Sequence, residues 1–167
     1  MSMKRILLTL SFVLLTSLLF AQVKKVKITD LETYIQKSDH PLMISFWATW
    51  CVPCVEEIPW FQEGVAKFAD QKVELILVSL DFARDYPYKL ETFIKKKNWQ
   101  ASFYWLDETN ADYFCPRIHP KWEGGIPATL FVNNKTGYRR FFDRALTDRQ
   151  VEPEIKTMLK EVKVNGR

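Results

Sequence analysis

The chain has 167 residues, 47% of them apolar and 26% charged, with five glycines. That is the length of one domain and a composition able to bury a core, which excludes a disordered or fibrous chain. The formal charge is +4. The basic residues are scattered except for Lys95-Lys96-Lys97, which a solvated helix end explains, so no nucleic acid partner is expected.

In chain order, residues 1–21 read as a secretory signal. Lys4 and Arg5 form a positive start, Ile6 to Phe20 is uncharged and mostly apolar, and Ala21 is a small residue at the expected cut before Gln22. The apolar stretch is shorter than the ~20 residues that span a bilayer, which favours export over a retained anchor, the alternative reading. Loss of this segment takes away two cations and leaves a domain over 22–167 with a charge of +2. Outside the cytoplasm a disulfide can persist.

Leu31, Tyr34 and Ile35 share one face of a short helix expected over Thr29 to Lys37, with Thr29 or Asp30 as its cap. After Pro41, Leu42 to Ala48 is apolar except for Ser45, as a buried central strand would be. A helix is expected from Cys51 to about Asp70, with Ile58, Phe61, Val65 and Phe68 at helical spacing and a kink at Pro59. Val73 to Leu80 is a second buried strand, and Tyr86 to Lys97 an amphipathic helix on Leu90, Phe93 and Ile94. Phe103 to Leu106 reads as an edge or connecting strand. A short helix over Thr109 to Cys115 should stop at Pro116. Ala128 to Asn133 is a strand joined by a turn at Asn133-Asn134-Lys135-Thr136-Gly137 to Tyr138 to Asp143. Thr147 to Val162 closes the chain as a helix, with Pro153 near its first turn. The order β-α-β-α, then β-β-α, predicts an α/β fold with a mixed central sheet flanked by helices on both faces.

Cys51 and Cys54 lie in Trp50-Cys51-Val52-Pro53-Cys54, between the first apolar run and the second helix. A sulfur at a helix N-terminus is held as thiolate by free amides and the helix dipole. Cys51 is therefore the expected nucleophile. Cys54, one turn on, is the resolving thiol that can close a disulfide back to it. Pro53 suits the first turn. Half of a zinc site is the rival, but only Cys115, His40 and His119 remain as partners and none forms a paired motif. Cys115 is expected to be a buried free thiol, with a third redox thiol or a dimer link as the lesser reading.

Phe46-Trp47-Ala48-Thr49-Trp50-Cys51-Val52-Pro53-Cys54, with Pro59 five residues on, resembles the active-site segment of the thioredoxin superfamily. It is most similar to the exported TlpA-like and ResA-like thiol–disulfide oxidoreductases. The resemblance runs from about Val23 to Val162 and implies a thioredoxin-like fold. It also implies that Ile126-Pro127 is a cis-proline segment facing the dithiol, where Ile126 offers its backbone to an extended substrate peptide. Trp50, Pro53, Ile126 and Pro127 are the implied substrate-binding residues. Glu57 is three residues beyond Cys54 on a helix and shares its face. It matches the family's C-x-x-E-x-P glutamate, which implies a catalytic role carrying protons to and from Cys54. Ser45 stands where ordinary thioredoxins bury an aspartate.

The resemblance further implies reduction of substrate disulfides, exported proteins with cysteines as partners, a membrane thiol carrier as electron donor, a monomer and no cofactor. Two departures stand out. Only Gln22 to Ile28 is available for the family's N-terminal hairpin, so that element is short or absent. Asp107 to Gly125 reads as an enlarged loop beside the substrate groove, with Trp122 either a substrate contact or a packing residue. The alternative function is a copper-binding chaperone of the same fold using Cys51, Cys54 and His119. A peroxidase would need a P-x-x-x-T-x-x-C motif, which is absent.

Overall fold

The computed structural model describes residues 22–160. The expected signal segment and the last residues of the expected closing helix lie outside that range. The elements are β1 (Lys24–Val26), α1 (Ile28–Lys37), β2 (Leu42–Trp47), α2 (Val52–Ala66), β3 (Glu74–Ser79), α3 (Tyr88–Lys97), β4 (Ser102–Leu106), α4 (Ala111–Ile118), β5 (Ala128–Asn133), β6 (Tyr138–Phe142) and α5 (Asp148–Leu159). They form a six-stranded sheet in the order β1-β4-β3-β2-β5-β6. The ladder from β1 to β2 is parallel, and the β2–β5 and β5–β6 pairs are antiparallel.

Two central strands, β2 and β5, are buried at every residue because both of their edges are paired and both of their faces covered. Alternate side chains separate into two cores. Met43 and Trp47 of β2, with Leu75, Leu77 and Phe131, pack under Ile58 and Phe61 of α2, Leu90 and Ile94 of α3, and Ile155 of α5. Leu42, Ile44 and Phe46, with Ile76, Val78 and Leu130, face Leu31 and Ile35 of α1 and Phe114 and Ile118 of α4. The result is the expected mixed sheet with helices on both faces.

Several boundaries differ from expectation. β1 was not anticipated: three residues are too few for a periodicity signal, and pairing with β4 is what creates the strand. That pairing moves β4 off the sheet edge and into its interior. Only this one short strand precedes α1 among the described residues, in place of a hairpin.

The cap of α1 is remote. Ile28 N–H donates to Glu108 Oε1 at 3.1 Å rather than to Thr29 or Asp30. At its other end, Asn134 Nδ2 donates to the carbonyls of Ile35 (2.8 Å) and Ser38 (2.9 Å). α2 ends at Ala66, and a separate 3-10 turn covers Ala69–Gln71. α3 starts two residues later than expected because Pro87, in a cis peptide bond with Tyr86, disfavours helical backbone at the residue before it. α4 runs through Pro116 to Ile118, and His119 N–H still bonds to Cys115 O at 3.0 Å. A proline therefore removes one bond here without ending the helix.

α2 and α5 meet at Gly64. A Cβ there would lie 2.6 Å from Val151 Cγ1 and 3.5 Å from Ile155 Cδ1. Val151 is β-branched and stiff at χ1, so it yields little. Gly64→Val should destabilise the fold by about 1–3 kcal/mol, read as a lower urea midpoint at unchanged slope. Val151→Ala in the same chain should recover part of the loss.

Candidate active site

The chain leaves the buried β2 strand at Trp47 and turns within four residues into α2. Cys51 N–H donates to Ala48 O at 3.0 Å, closing the turn. Cys51 is the N-cap of α2, with extended backbone (φ −87°, ψ 94°), and Val52 and Pro53 form the first turn. Val55 N–H donates to Cys51 O at 3.1 Å. The first-turn amides of α2 therefore surround the Cys51 end, the arrangement that favours a thiolate. Cys51 and Cys54 are joined as a disulfide with Cα atoms 5.3 Å apart. Cys54 is fully buried and Cys51 is 6% exposed, under a rim in which Trp50 is 55% and Val52 65% exposed.

Asp81 holds this turn in place, a role that went unassigned in the sequence. Its carboxylate accepts the Thr49 N–H (3.0 Å to Oδ2) and the Thr49 hydroxyl (2.5 Å to Oδ1). It also accepts the Ser79 hydroxyl at 2.7 Å, while Trp105 Nε1–H donates to the Asp81 carbonyl at 2.8 Å. An acidic residue directly after a buried parallel strand was the available signal, since sites gather at the carboxyl ends of such strands.

Glu57 is fully buried one turn behind Cys54. Its Oε2 accepts the Leu146 N–H at 2.8 Å, and its Oε1 has no hydrogen-bond partner among the described residues. Burial pushes its carboxyl up from the ordinary 4.5 to about 7, with the Leu146 bond opposing the rise. Leu146 acts through its backbone, so no sequence signal marks it. Ser45 Oγ and Thr129 Oγ1, opposite one another in the β2–β5 register, are also buried without a partner among the described residues.

The Ile126–Pro127 bond is cis. The β2–β5 ladder ends at the Phe46–Ala128 pair. Pro127 and Ile126 therefore follow alongside the segment where β2 turns towards Cys51, and Pro127 brings no N–H to it. The structure thus puts Trp50, Cys51, Pro53 and Cys54 beyond the end of β2 that Ile126 and Pro127 follow alongside, with Glu57 one turn further along α2.

The segment 107–125 is part helix and sends Phe114, Cys115, Ile118 and Trp122 into the core. Its helix, α4, packs on the sheet face opposite α2. Trp122 is 3% exposed, its ring 4.6 Å from that of Phe46, and its Nε1–H donates to Gly125 O at 2.8 Å. It is a packing residue that pins the approach to Ile126. Cys115 is a buried free thiol whose pKa burial pushes up to about 11, with Asp112 adding to the rise. His119 does not join the dithiol: its ring stacks on Phe141 at 4.7 Å and its Nδ1 accepts Lys121 N–H. Among the described residues, no group of three His, Cys, Asp or Glu is arranged to hold a metal, so nothing favours the copper reading.

Residues 16–136 match the AhpC/TSA family. The thiol-disulfide oxidoreductase ResA of Oceanobacillus iheyensis is 38% identical over 63 residues, covering 36% of this chain and 33% of that protein. The chloroplastic thioredoxin Y of Oryza sativa subsp. japonica is 33% identical over 116 residues, covering 66% and 58%. The chain therefore spans less than two thirds of the length of these curated relatives. Among solved structures, a thioredoxin-related protein from Neisseria meningitidis serogroup B superposes with a TM-score of 0.62 at 20% identity, covering 74% of this chain and 89% of that one. A secreted Mycobacterium tuberculosis disulfide oxidoreductase homologous to E. coli DsbE gives 0.54 at 20%, covering 75% and 85%. These likenesses establish a thioredoxin-like fold.

The Glu57 carboxyl has a sign that can be measured. Between its unfolded value near 4.5 and its folded value of about 7, the native state binds more protons than the unfolded state, so stability falls as pH rises through that window. Unfolding of the oxidised protein at pH 4.5 and pH 8 should show the loss, on the order of 2–3 kcal/mol. Glu57→Gln should flatten it.

Proposed function

This chain belongs to the AhpC/TSA family, and from that membership we propose that it is an exported thiol–disulfide oxidoreductase acting on cysteines of substrate proteins, in the reducing direction. The observation that carries the reading is the Cys51–Cys54 disulfide at the head of α2, with the Glu57 carboxyl buried one turn behind it.

In the reduced protein the Cys51 thiolate attacks one sulfur of a substrate disulfide. An S–S bond forms between Cys51 and the substrate, and the other substrate sulfur leaves as a thiolate and takes a proton. The Cys54 sulfur then attacks Cys51 Sγ, closing the intramolecular disulfide and releasing the second substrate thiol. Two electrons pass to the substrate, and the dithiol is oxidised. A membrane thiol carrier would return it to the reduced state. Cys54 must lose its proton to attack, and a carboxyl with a pKa near 7 is matched to that transfer. Ile126 and Pro127 lie where an extended substrate segment would pair beside the dithiol. Trp50 and Pro53 form the rim it crosses. Residues 1–21 would direct export and be removed, leaving the domain from residue 22.

Two measurements test this reading. A Cys54→Ser variant mixed with a disulfide-bonded protein should accumulate a mixed disulfide at Cys51, seen as a mass adduct; no adduct would remove Cys51 as nucleophile. The equilibrium potential of the dithiol against glutathione should lie near or below about −270 mV, whereas a value near about −120 mV would make the protein an oxidant.

Glu57→Gln tests the proton role separately. It should slow the release step and abolish the inflection near pH 7 in the exchange rate. An unchanged pH profile takes Glu57 out of the mechanism.

A further inference from the structure

Beside the dithiol lies an exposed surface with a definite charge. Trp50, which precedes Cys51, stacks on Phe82 with ring centroids 6.3 Å apart and planes at 26°. The two rings are 55% and 54% exposed. The exposed Arg84 lies over the other ring of the pair, its Cζ 4.7 Å from the Phe82 centroid.

Residues 81–85 carry three charged groups, and two of them are satisfied internally. Asp81 is taken up by Thr49 and Ser79. Asp85 is buried and paired with Lys89 at 2.9 Å. Arg84 has no carboxylate partner among the described residues, so the loop presents one uncompensated cation. The Asp81 carboxylate also ties this loop to the Thr49 turn. The loop is therefore anchored to the turn that leads into Cys51, and the guanidinium rests on the ring that stacks on Trp50.

On the exchange reading, a substrate sulfur must reach Cys51 over its rim, because Cys51 itself is 6% exposed. The residues flanking the substrate cysteine then cross the Trp50–Phe82 rings. Stacked aromatics accept apolar contacts with little demand on sequence. A guanidinium already seated on a ring gives up less freedom when it engages a carboxylate than a free lysine would.

We propose that Trp50, Phe82 and Arg84 form a docking ledge that selects substrate segments carrying an Asp or Glu close to the reacting cysteine. The inference rests on the exchange reading and adds the charge class of its substrates. A single exposed ion pair sets the scale of the preference at about three- to fivefold at low salt. It should vanish near 1 M salt, where the Debye length is about 3 Å.

The test uses the reduced protein and two peptide disulfides with the same neutral reporter thiol. The peptides differ only in Glu or Lys two positions from the cysteine. Dividing each rate by that of the same peptide with dithiothreitol removes intrinsic reactivity. The wild type should favour the Glu peptide by about three- to fivefold. Arg84→Lys should keep that order, Arg84→Glu should reverse it, and high salt should erase it. Equal normalised rates in the wild type, or the same preference in Arg84→Glu, overturns the docking ledge alone. Failure of the wild type to exchange with either peptide overturns the exchange reading as well.

Discussion

The carboxylate of Asp81 is the constraint on which the working end of this molecule depends. β2 and β3 finish side by side, and each hands the chain to a loop with no ladder to hold it. Asp81 accepts hydrogen bonds from the first loop, through Thr49, and from the end of its own strand, through Ser79. A buried charge is tolerable only where its lone pairs are filled, and these donors fill them. The consequence is positional. The turn that carries Trp50 and Cys51 and the loop that carries Phe82 and Arg84 become one unit. The start of α2, and with it Cys51, is thereby set against a rigid sheet end.

Glu57 obeys the opposite logic. It is buried like Asp81, but one backbone amide is its sole hydrogen-bond partner among the described residues. Desolvation therefore dominates and its carboxyl titrates near 7. A carboxylate whose oxygens meet several donors is held in place, whereas one with a single donor holds its proton to higher pH. Asp81 is bonded to the turn that precedes Cys51, and Glu57 lies one helical turn after Cys54. Cys115 shows the third outcome. A thiol buried on the far face of the sheet is pushed to about 11 and so stays protonated at neutral pH.

Much of the fold was legible because long buried strands and amphipathic helices leave periodic traces. β2, β3, β5 and the cores of α2 and α3 follow directly from such runs. Features set by partners left no trace. β1 exists because β4 lies beside it, and α1 is capped by Glu108 and Asn134 from remote segments. Pro116 reads as a helix stop, yet packing of Phe114 and Ile118 on α1's side of the sheet carries the helix past it. The segment around Trp122 reads as a groove wall for its aromatics and glycines. Its ring is instead a plug in the core, reached through Phe46.

The sequence by itself determined the dithiol, its place between a buried strand and a helix, the glutamate on the same helical face and the proline ahead of β5. Each depends on local spacing, which covalent geometry and helix pitch convert directly into position. The tertiary structure alone decided the rest. It buried Glu57 and left one of its oxygens unpaired, recruited Asp81 to the cysteine turn, and set Phe82 and Arg84 beside Trp50. Those properties arise between segments some 30 to 90 residues apart. Desolvation and hydrogen-bond satisfaction belong to an environment, and only the folded chain supplies one.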